Sequence, residues 1–410
     1  MSPTTLKNCG RCGLCLSACP VYKVLKEEHA SPRARLKLIQ AYKTKTLPTS
    51  PVLQELVSKC LMCGRCAAMC PSGINHYGKF MEMRREMAEA HGDKVEIRSL
   101  VFMLAREYRL RAAAGVARIG RGLLPSSFQK KSRLGNIPLD RFPELPKTSF
   151  RESLPEEIPP VGAERGAVVY FTGCATNHLF ADTGNATVRV LTAMGYRVRI
   201  PKGQTCCALP MLFHGASDQA GNSIQANIRA LGGAEGDPIL VDCATCGTAL
   251  KKEYRLLCDT LHLDPEAVEG IAARVSHITP FVLEHLDELE FPDTAKSLKV
   301  TSHTPCHRKH GFGGEDMVAQ LLKQTPGVDY RPSPDAEECC GGGCTFFYEY
   351  PEISKKMVDQ KVASAQATGA DIWVTDCPVC RINLAGNLEG ETPMRVIHPL
   401  ELLDIQLGRP

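Results

Sequence analysis

Two stretches near the N-terminus share one cysteine spacing: Cys9-Gly-Arg-Cys12-Gly-Leu-Cys15-Leu-Ser-Ala-Cys19-Pro20 and Cys60-Leu-Met-Cys63-Gly-Arg-Cys66-Ala-Ala-Met-Cys70-Pro71. A chain carrying C-x2-C-x2-C-x3-C-P twice must fold around whatever engages those thiols, and this is the spacing that cradles cubane [4Fe–4S] clusters. Three thiolates on a tight loop reach three corners of one cube, while the fourth is set apart by an extra residue and a proline. Structural zinc also uses C-x2-C knuckles. Four zinc ligands, however, leave no reason for a third in-register cysteine or for the C-x3-C-P ending.

In two-cluster ferredoxins the fourth cysteine of each motif ligates the other cluster. The expected sets are therefore Cys9, Cys12, Cys15 and Cys70 for one cluster and Cys60, Cys63, Cys66 and Cys19 for the other, a pair of cubanes that moves single electrons. Eight of the 20 cysteines are accounted for in this way. A disulfide scaffold would suit so many cysteines only in a small secreted chain. The first residues, Met1 to Lys7, contain no apolar signal core, so a reducing, cytoplasmic location is expected. The length of 410 residues points to several domains. No apolar run approaches the ~18–20 residues that span a bilayer, and a net charge of +4 is too small to argue for nucleic acid.

Ten of the remaining cysteines form two copies of one pattern. The first is Cys174, Cys206-Cys207 and Cys243-Ala-Thr-Cys246; the second is Cys306, Cys339-Cys340 and Cys377-Pro-Val-Cys380. The gaps hold 31 and 35 residues in the first copy and 32 and 36 in the second. Each copy begins with a strand-like run, Ala167–Phe171 or Leu298–Thr301, that delivers its first cysteine to a loop. A second strand (Tyr196–Ile200; Val328–Tyr330) leads to the vicinal pair. A helical pattern follows (Gln219–Leu231; Pro351–Ala367), and then a strand (Ile239–Val241; Ile372–Val374) ends at Asp242-Cys243 or Asp376-Cys377. Strands alternating with helices predict parallel α/β halves. Every cysteine group then lies just past a strand, where open α/β sheets collect ligands.

Five thiols at such a crevice could hold zinc, act as a redox dithiol or hold a cluster. A dithiol needs only C-x2-C and zinc leaves one thiol spare, whereas vicinal cysteines suit a multi-iron centre. Cys258 reads as an inert buried thiol; Cys344, four residues after the second pair, could be a ligand but reads first as a spare. His178 and His310 each stand four residues after a first cysteine and read first as polar residues of the following helix, with a ligand or a proton donor to a reduced centre as the other options; His307, after Cys306, is a weaker candidate.

The tandem pattern resembles the CCG cysteine-rich domains of heterodisulfide reductase catalytic subunits, archaeal-type succinate dehydrogenases, and the iron–sulfur subunits of glycolate oxidase, lactate dehydrogenase and anaerobic glycerol-3-phosphate dehydrogenase. Two ferredoxin motifs followed by two such domains look like the iron–sulfur subunit of a glycolate or lactate oxidase. Ser31-Pro-Arg-Ala-Arg-Leu36 and Thr304-Pro-Cys306-His307 are similar to segments of that family. The resemblance implies a multidomain chain: a mainly α-helical two-cluster ferredoxin-like domain (1–90), a basic helical segment and proline-rich linker (91–165), and two tandem α/β, Rossmann-like CCG domains (166–295 and 296–410). It implies one or two further, non-cubane [4Fe–4S] clusters held by the two sets of five cysteines. The first pair is followed by Ala208 where the family has glycine, while Cys339-Cys340-Gly341 keeps it. Glycine permits backbone conformations that alanine resists, so the first site is expected to hold its centre differently or to hold none.

Residues 92–135 carry ten Lys or Arg against three Asp or Glu within a helix-like pattern. Such a stretch suits a protein partner or a solvated face, with peripheral attachment to the inner face of the cytoplasmic membrane as a further option. Residues 136–165, rich in proline and charge, read as the linker. No Gly-x-Gly-x-x-Gly follows a predicted strand, and Gly311-Phe-Gly-Gly314 is too irregular to count, so neither flavin nor nicotinamide is expected in this chain. Two-electron oxidation of an alcohol is flavin or nicotinamide chemistry, so the resemblance implies a separate FAD-linked oxidase subunit. Electrons would leave singly towards a quinone or another carrier. The competing expectation is a heterodisulfide-reductase-like subunit that cleaves a disulfide at a CCG centre.

Overall fold

The computed structural model describes residues 9–233, 236–293, 295–312, 316–389 and 394–408. The N-terminal run without a signal core, and Gly313 and Gly314 of the glycine-rich run, lie outside them.

Short helices dominate the N-terminal part: Leu14–Ala18, Pro20–Leu25, Pro32–Lys43, Pro51–Ser58, Arg65–Ala68 and His76–His91. Three of them begin with proline, whose missing N–H costs nothing in the first turn. Ser31 and Ser50 cap two of these, accepting from Ala34 N–H at 3.0 Å and Leu53 N–H at 3.1 Å. The helices inside the two cysteine motifs start at Gly13 and Gly64, with φ of 83° and 75°. Glycine takes that left-handed conformation freely, so the chain turns sharply after Cys12 and Cys63.

The basic segment is helical, as expected, over Val95–Leu104, Glu107–Leu123 and Ser126–Lys131. The proline-rich stretch expected as a linker instead carries regular structure. Strands β1 (Arg133–Leu134) and β2 (Ile137–Pro138) pair antiparallel, and β3 (Glu157–Ile158) joins the first large sheet. Ile137 and Phe150 are completely buried, the Phe150 ring lying over Gly184 and edge-on to Tyr170. Apolar residues spaced among prolines anchor the stretch to both halves, which composition alone did not reveal.

Two sheets follow. The first combines β3, β4 (Gly166–Phe171), β5 (Tyr196–Arg199), β6 (Ile239–Val241) and β7 (Val275–His277) in the order β3-β5-β4-β6-β7. The second combines β8 (Leu298–Ser302), β9 (Val328–Tyr330), β10 (Ile372–Val374) and β11 (Arg395–Ile397) in the order β11-β10-β8-β9. Apart from β3 every pairing in them is parallel. Leaving β3 aside, both halves run second strand, first, third, fourth. The chain direction across the sheet reverses between the first and third strands, a topological switch point, and those strands deliver Cys174 and Cys243, or Cys306 and Cys377. β6 and β10 are buried on both faces and read as continuous apolar runs, as internal parallel strands do.

The halves face one another about an approximate twofold. Ala181–Ala193, after β4, packs on Pro399–Gln406, after β11; Ile278–Glu284, after β7, packs on Met317–Gln324, after β8. Leu191, Ile278, Leu321, Leu400 and Leu403 share one buried core across that junction, edged by the Arg189–Asp404 ion pair. A second core joins the N-terminal helices, through Leu36, Phe80 and Met87, to the first sheet.

Candidate metal centres

Cys60, Cys63, Cys66 and Cys19 line one cavity with Pro20, Leu61 and Met62. Cys9, Cys12, Cys15 and Cys70 line a second with Leu14 and Ile74. The fourth cysteine of each motif thus sits in the cavity formed by the other motif. Two buried guanidinium groups fix the Cys60 loop. Arg35, from the Ser31–Leu36 segment, donates to Ala30 O at 2.7 Å, to Leu56 O at 3.0 Å and to Lys59 O. Arg84 donates to Ser58 O at 2.6 Å, Cys60 O at 2.7 Å and Phe213 O at 3.1 Å. The Leu56, Ser58 and Lys59 carbonyls belong to the C-terminal end of Pro51–Ser58, which has no intrahelical donors left for them. Burial, reinforced by the neighbouring Cys60, pushes the Cys63 thiol up to about 12. Cys66 and Cys15 are also raised by burial, with added repulsion from their cysteine neighbours. Thiols crowded in this way ionise together only around compensating positive charge. Two sets of four sulfur donors, with no oxygen or nitrogen ligand in either motif, fit iron–sulfur clusters.

Cys306, Cys339, Cys340, Cys377 and Cys380 line a third cavity together with Cys344. Cys344, expected as a spare, therefore lies among the ligand candidates. Cys377 caps the helix Pro378–Asn387 directly after β10. The backbone N–H groups of Gly341 and Gly342 lie 3.4 Å from Cys339 Sγ and Cys340 Sγ, so both sulfurs face main-chain donors. Lys361 is buried behind the pair, donating to Ala336 O at 3.1 Å, with burial lowering its ammonium to about 8. The cysteine pattern carried no signal for that counter-charge.

In the first half the thiols of Cys174, Cys206, Cys207, Cys246 and Cys243 touch in that order, and Cys243 meets Cys377 of the second half. The two sets of five are therefore contiguous. Ala208 has φ +71°, in the same left-handed region as Gly341 at +80°. Alanine has not remodelled the turn; the backbone accepts strain to keep the vicinal pair in place.

The junction between the sets is polar and paired across the twofold. Ala244 N–H donates to Asp376 O at 3.1 Å, and His398 Nε2 donates to Asp242 O at 2.9 Å. Asp242 Oδ2 accepts from Tyr170 at 2.7 Å and Thr176 at 2.6 Å. Asp376 Oδ2 stands 3.5 Å from His277 Nε2 and 3.8 Å from Arg308 Nε. Burial raises Asp242 to about 6 and Asp376 to about 7.

The N-terminal sites continue into this cluster. Leu61 lines both the Cys60 cavity and the Cys306 cavity. Arg65 bridges to Glu338 at 2.8 Å, and His307 donates from Nε2 to Met62 O at 3.2 Å while Nδ1 accepts from Thr245 at 3.0 Å. His178 faces away from the thiols, in a buried group with Glu107 at 2.7 Å and Asn177 at 3.0 Å. His310 packs beside Gly64, where burial pushes it down to about 4. Cys258 donates to Tyr254 O at 3.4 Å within its own helix, apart from both sets. Among the described residues no helix is long and apolar enough to cross a membrane.

Comparison with known proteins agrees with this architecture. Residues 5–74 match the 4Fe-4S dicluster domain, and residues 168–251 and 300–385 each match the cysteine-rich domain family CCG. The chain is 29% identical to the probable glycolate oxidase iron-sulfur subunit of Bacillus subtilis, over 98% of this chain and 94% of that one. It is 28% identical to one of the subunits of the fumarate reductase (CoM/CoB) of Methanothermobacter marburgensis, over 98% of this chain and 72% of that one. With lactate utilization protein A of Geobacillus kaustophilus it shares 32% identity across 98% of that protein and 58% of this chain. Two cubane-type motifs, two sets of five thiols meeting at one junction, and relatives alike along nearly their whole length lead to one conclusion: this chain is an iron–sulfur oxidoreductase subunit, a member of the family that contains the glycolate oxidase iron–sulfur subunit and lactate utilization protein A.

Proposed function

We propose that this chain is the electron-transfer subunit of a flavin-dependent 2-hydroxyacid dehydrogenase acting on lactate or glycolate, with substrate oxidation on a separate FAD-linked subunit. The observation that carries this reading is the unbroken line of thiol sites: Cys15 and Cys66 adjoin, Leu61 separates the Cys60 and Cys306 cavities, and Cys243 touches Cys377. Cys9, Cys12, Cys15 and Cys70 would hold one cubane and Cys60, Cys63, Cys66 and Cys19 the other. Cys306, Cys339, Cys340, Cys377 and Cys380 would hold a non-cubane cluster, and Cys174, Cys206, Cys207, Cys243 and Cys246 another. Bound clusters of this kind pass electrons one at a time. The chain's own residues fix the loops through Arg35 and Arg84 and offset thiolate charge with Lys361. The downstream acceptor is a quinone or another carrier. The basic helix Glu107–Leu123, with Val116, Ile119 and Leu123 exposed, is the surface available to the flavoprotein partner or to peripheral attachment.

The isolated chain should oxidise no 2-hydroxy acid, whereas adding the FAD subunit should give lactate- or glycolate-dependent cluster reduction. Cys66→Ser should then block transfer to the acceptor and leave flavin reduction intact. A second reading is favoured by the cavity at the Cys306 set and by the fumarate reductase (CoM/CoB) relative. On that reading two electrons and two protons convert a bound disulfide into two thiols. Reduction of a small disulfide by the isolated chain with an artificial donor, lost on replacing Cys339 or Cys340, would establish it instead.

A further inference from the structure

The two sets of five thiols repeat closely, but the residue three positions before the first cysteine differs: Phe171 in the first half, His303 in the second. His303 immediately follows β8 and is buried. Its backbone N–H donates to Val374 O at 2.8 Å, which ties it to the neighbouring strand. Its Nδ1 lies 3.1 Å from Ala336 O. A carbonyl oxygen cannot donate, so Nδ1 must carry the proton and the lone pair of the neutral ring resides on Nε2. That Nε2 is buried, and the side chain it meets is Cys340. His303, Cys340 and Cys380 form a group whose ligand atoms all lie within 4.8 Å of one another.

This is the arrangement of a metal-bound histidine, whose other ring nitrogen donates to a backbone carbonyl and so fixes tautomer and orientation. A neutral ring in this tautomer cannot donate to sulfur. We propose that His303 Nε2 is a metal ligand of the second centre, giving iron one nitrogen beside the Cys340 and Cys380 thiolates. Phe171 leaves the first centre all-sulfur. The inference rests on the reading that the second set of five holds iron. It makes the two halves chemically unequal, because the second centre gains an imidazole nitrogen beside its five thiolates and the first does not; exchanging that imidazole for thiolate would lower the centre's potential.

The test uses full-length, anaerobically prepared protein labelled with 15N-histidine or left at natural abundance. Pulsed electron–nuclear spectroscopy is recorded with the second centre paramagnetic, alongside iron counts on wild type and on a Cys339→Ser/Cys340→Ser variant that locates iron at that site. The expected result is a directly coupled nitrogen whose frequencies shift with the isotope, lost in His303→Cys with iron retained and the midpoint potential lowered. Iron at the second site with no isotope-sensitive coupling overturns the proposal alone. Equal iron in wild type and the double variant overturns both it and the cluster reading of that site.

Discussion

Ala208 and Gly341 occupy equivalent turns after the two vicinal pairs, and substitution at each has a calculable and opposite effect. Ala208, at φ +71°, bears the left-handed penalty for a residue with Cβ, about 1–2 kcal/mol. Ala208→Gly removes that penalty but adds unfolded-chain freedom worth roughly 0.5–1 kcal/mol. A net gain of about 0–1.5 kcal/mol follows. Gly341→Ala adds the penalty at φ +80° and brings its Cβ to 2.8 Å from Ser354 O and 3.1 Å from Ser354 Oγ. Ser354 cannot retreat freely, because its hydroxyl donates to Gly341 O at 2.9 Å and accepts from Asn136 at 3.0 Å. Overpacking of this kind adds about 1–3 kcal/mol and the lost unfolded-chain freedom returns roughly 0.5–1 kcal/mol, so the total loss is about 1–4.5 kcal/mol. Denaturant midpoints under anaerobic conditions, with iron counted on each variant, provide the assay. Ala208→Gly should raise the midpoint slightly at unchanged iron, and Gly341→Ala should lower it several times further and shed iron. A lower midpoint for Ala208→Gly, or no effect of Gly341→Ala, would refute the argument from backbone conformation.

Further outcomes follow from the same geometry. Cys19→Ser should deplete the iron held by Cys60, Cys63 and Cys66 and spare the other N-terminal site, since Cys19 lines only the former cavity among the two; cluster spectra of the variant decide it, and the opposite loss would reverse the crossed assignment. Anaerobically purified protein should contain more than the ~8 Fe of two cubanes, and iron that stops there with zinc making up the balance would favour zinc at the two sets of five. Burial raises the Glu253 carboxyl from its usual 4.5 to about 7, and its Oε2 has no partner among the described residues. The folded state therefore favours the proton: this contribution is full below pH 4.5 and lost as pH rises through about 7. Glu253→Gln should match wild type near pH 4.5 and exceed it at pH 8 by up to about 3 kcal/mol; equal denaturant midpoints at both pH values would sink this reading.

What the sequence determined by itself was the local order of parts. Cysteine spacing named the N-terminal sites, and the repeated gaps located two α/β halves, because the chemistry of a cluster loop and the alternation of strand and helix are written in neighbouring residues. Strands β4, β5, β6, β8, β9 and β10 fall within a residue of the runs read from the sequence. β7 and β11 were missed: each is three residues long, β7 with a single apolar side chain and β11 beginning on an exposed arginine. Only the tertiary structure decided which distant groups meet. The approximate twofold brings Cys243 to Cys377, and the packing of the N-terminal helices gathers the carbonyls of Ala30, Leu56 and Lys59 on the guanidinium of Arg35. Folding also buries Lys361 behind a thiol pair and aims His303 at Cys340 and Cys380. Neither Lys361 nor His303 stands at a motif spacing, and Arg35, although within the Ser31–Leu36 segment, carried no role in the sequence reading. Their roles come from burial, which denies each polar group water and leaves it only the partners that folding supplies.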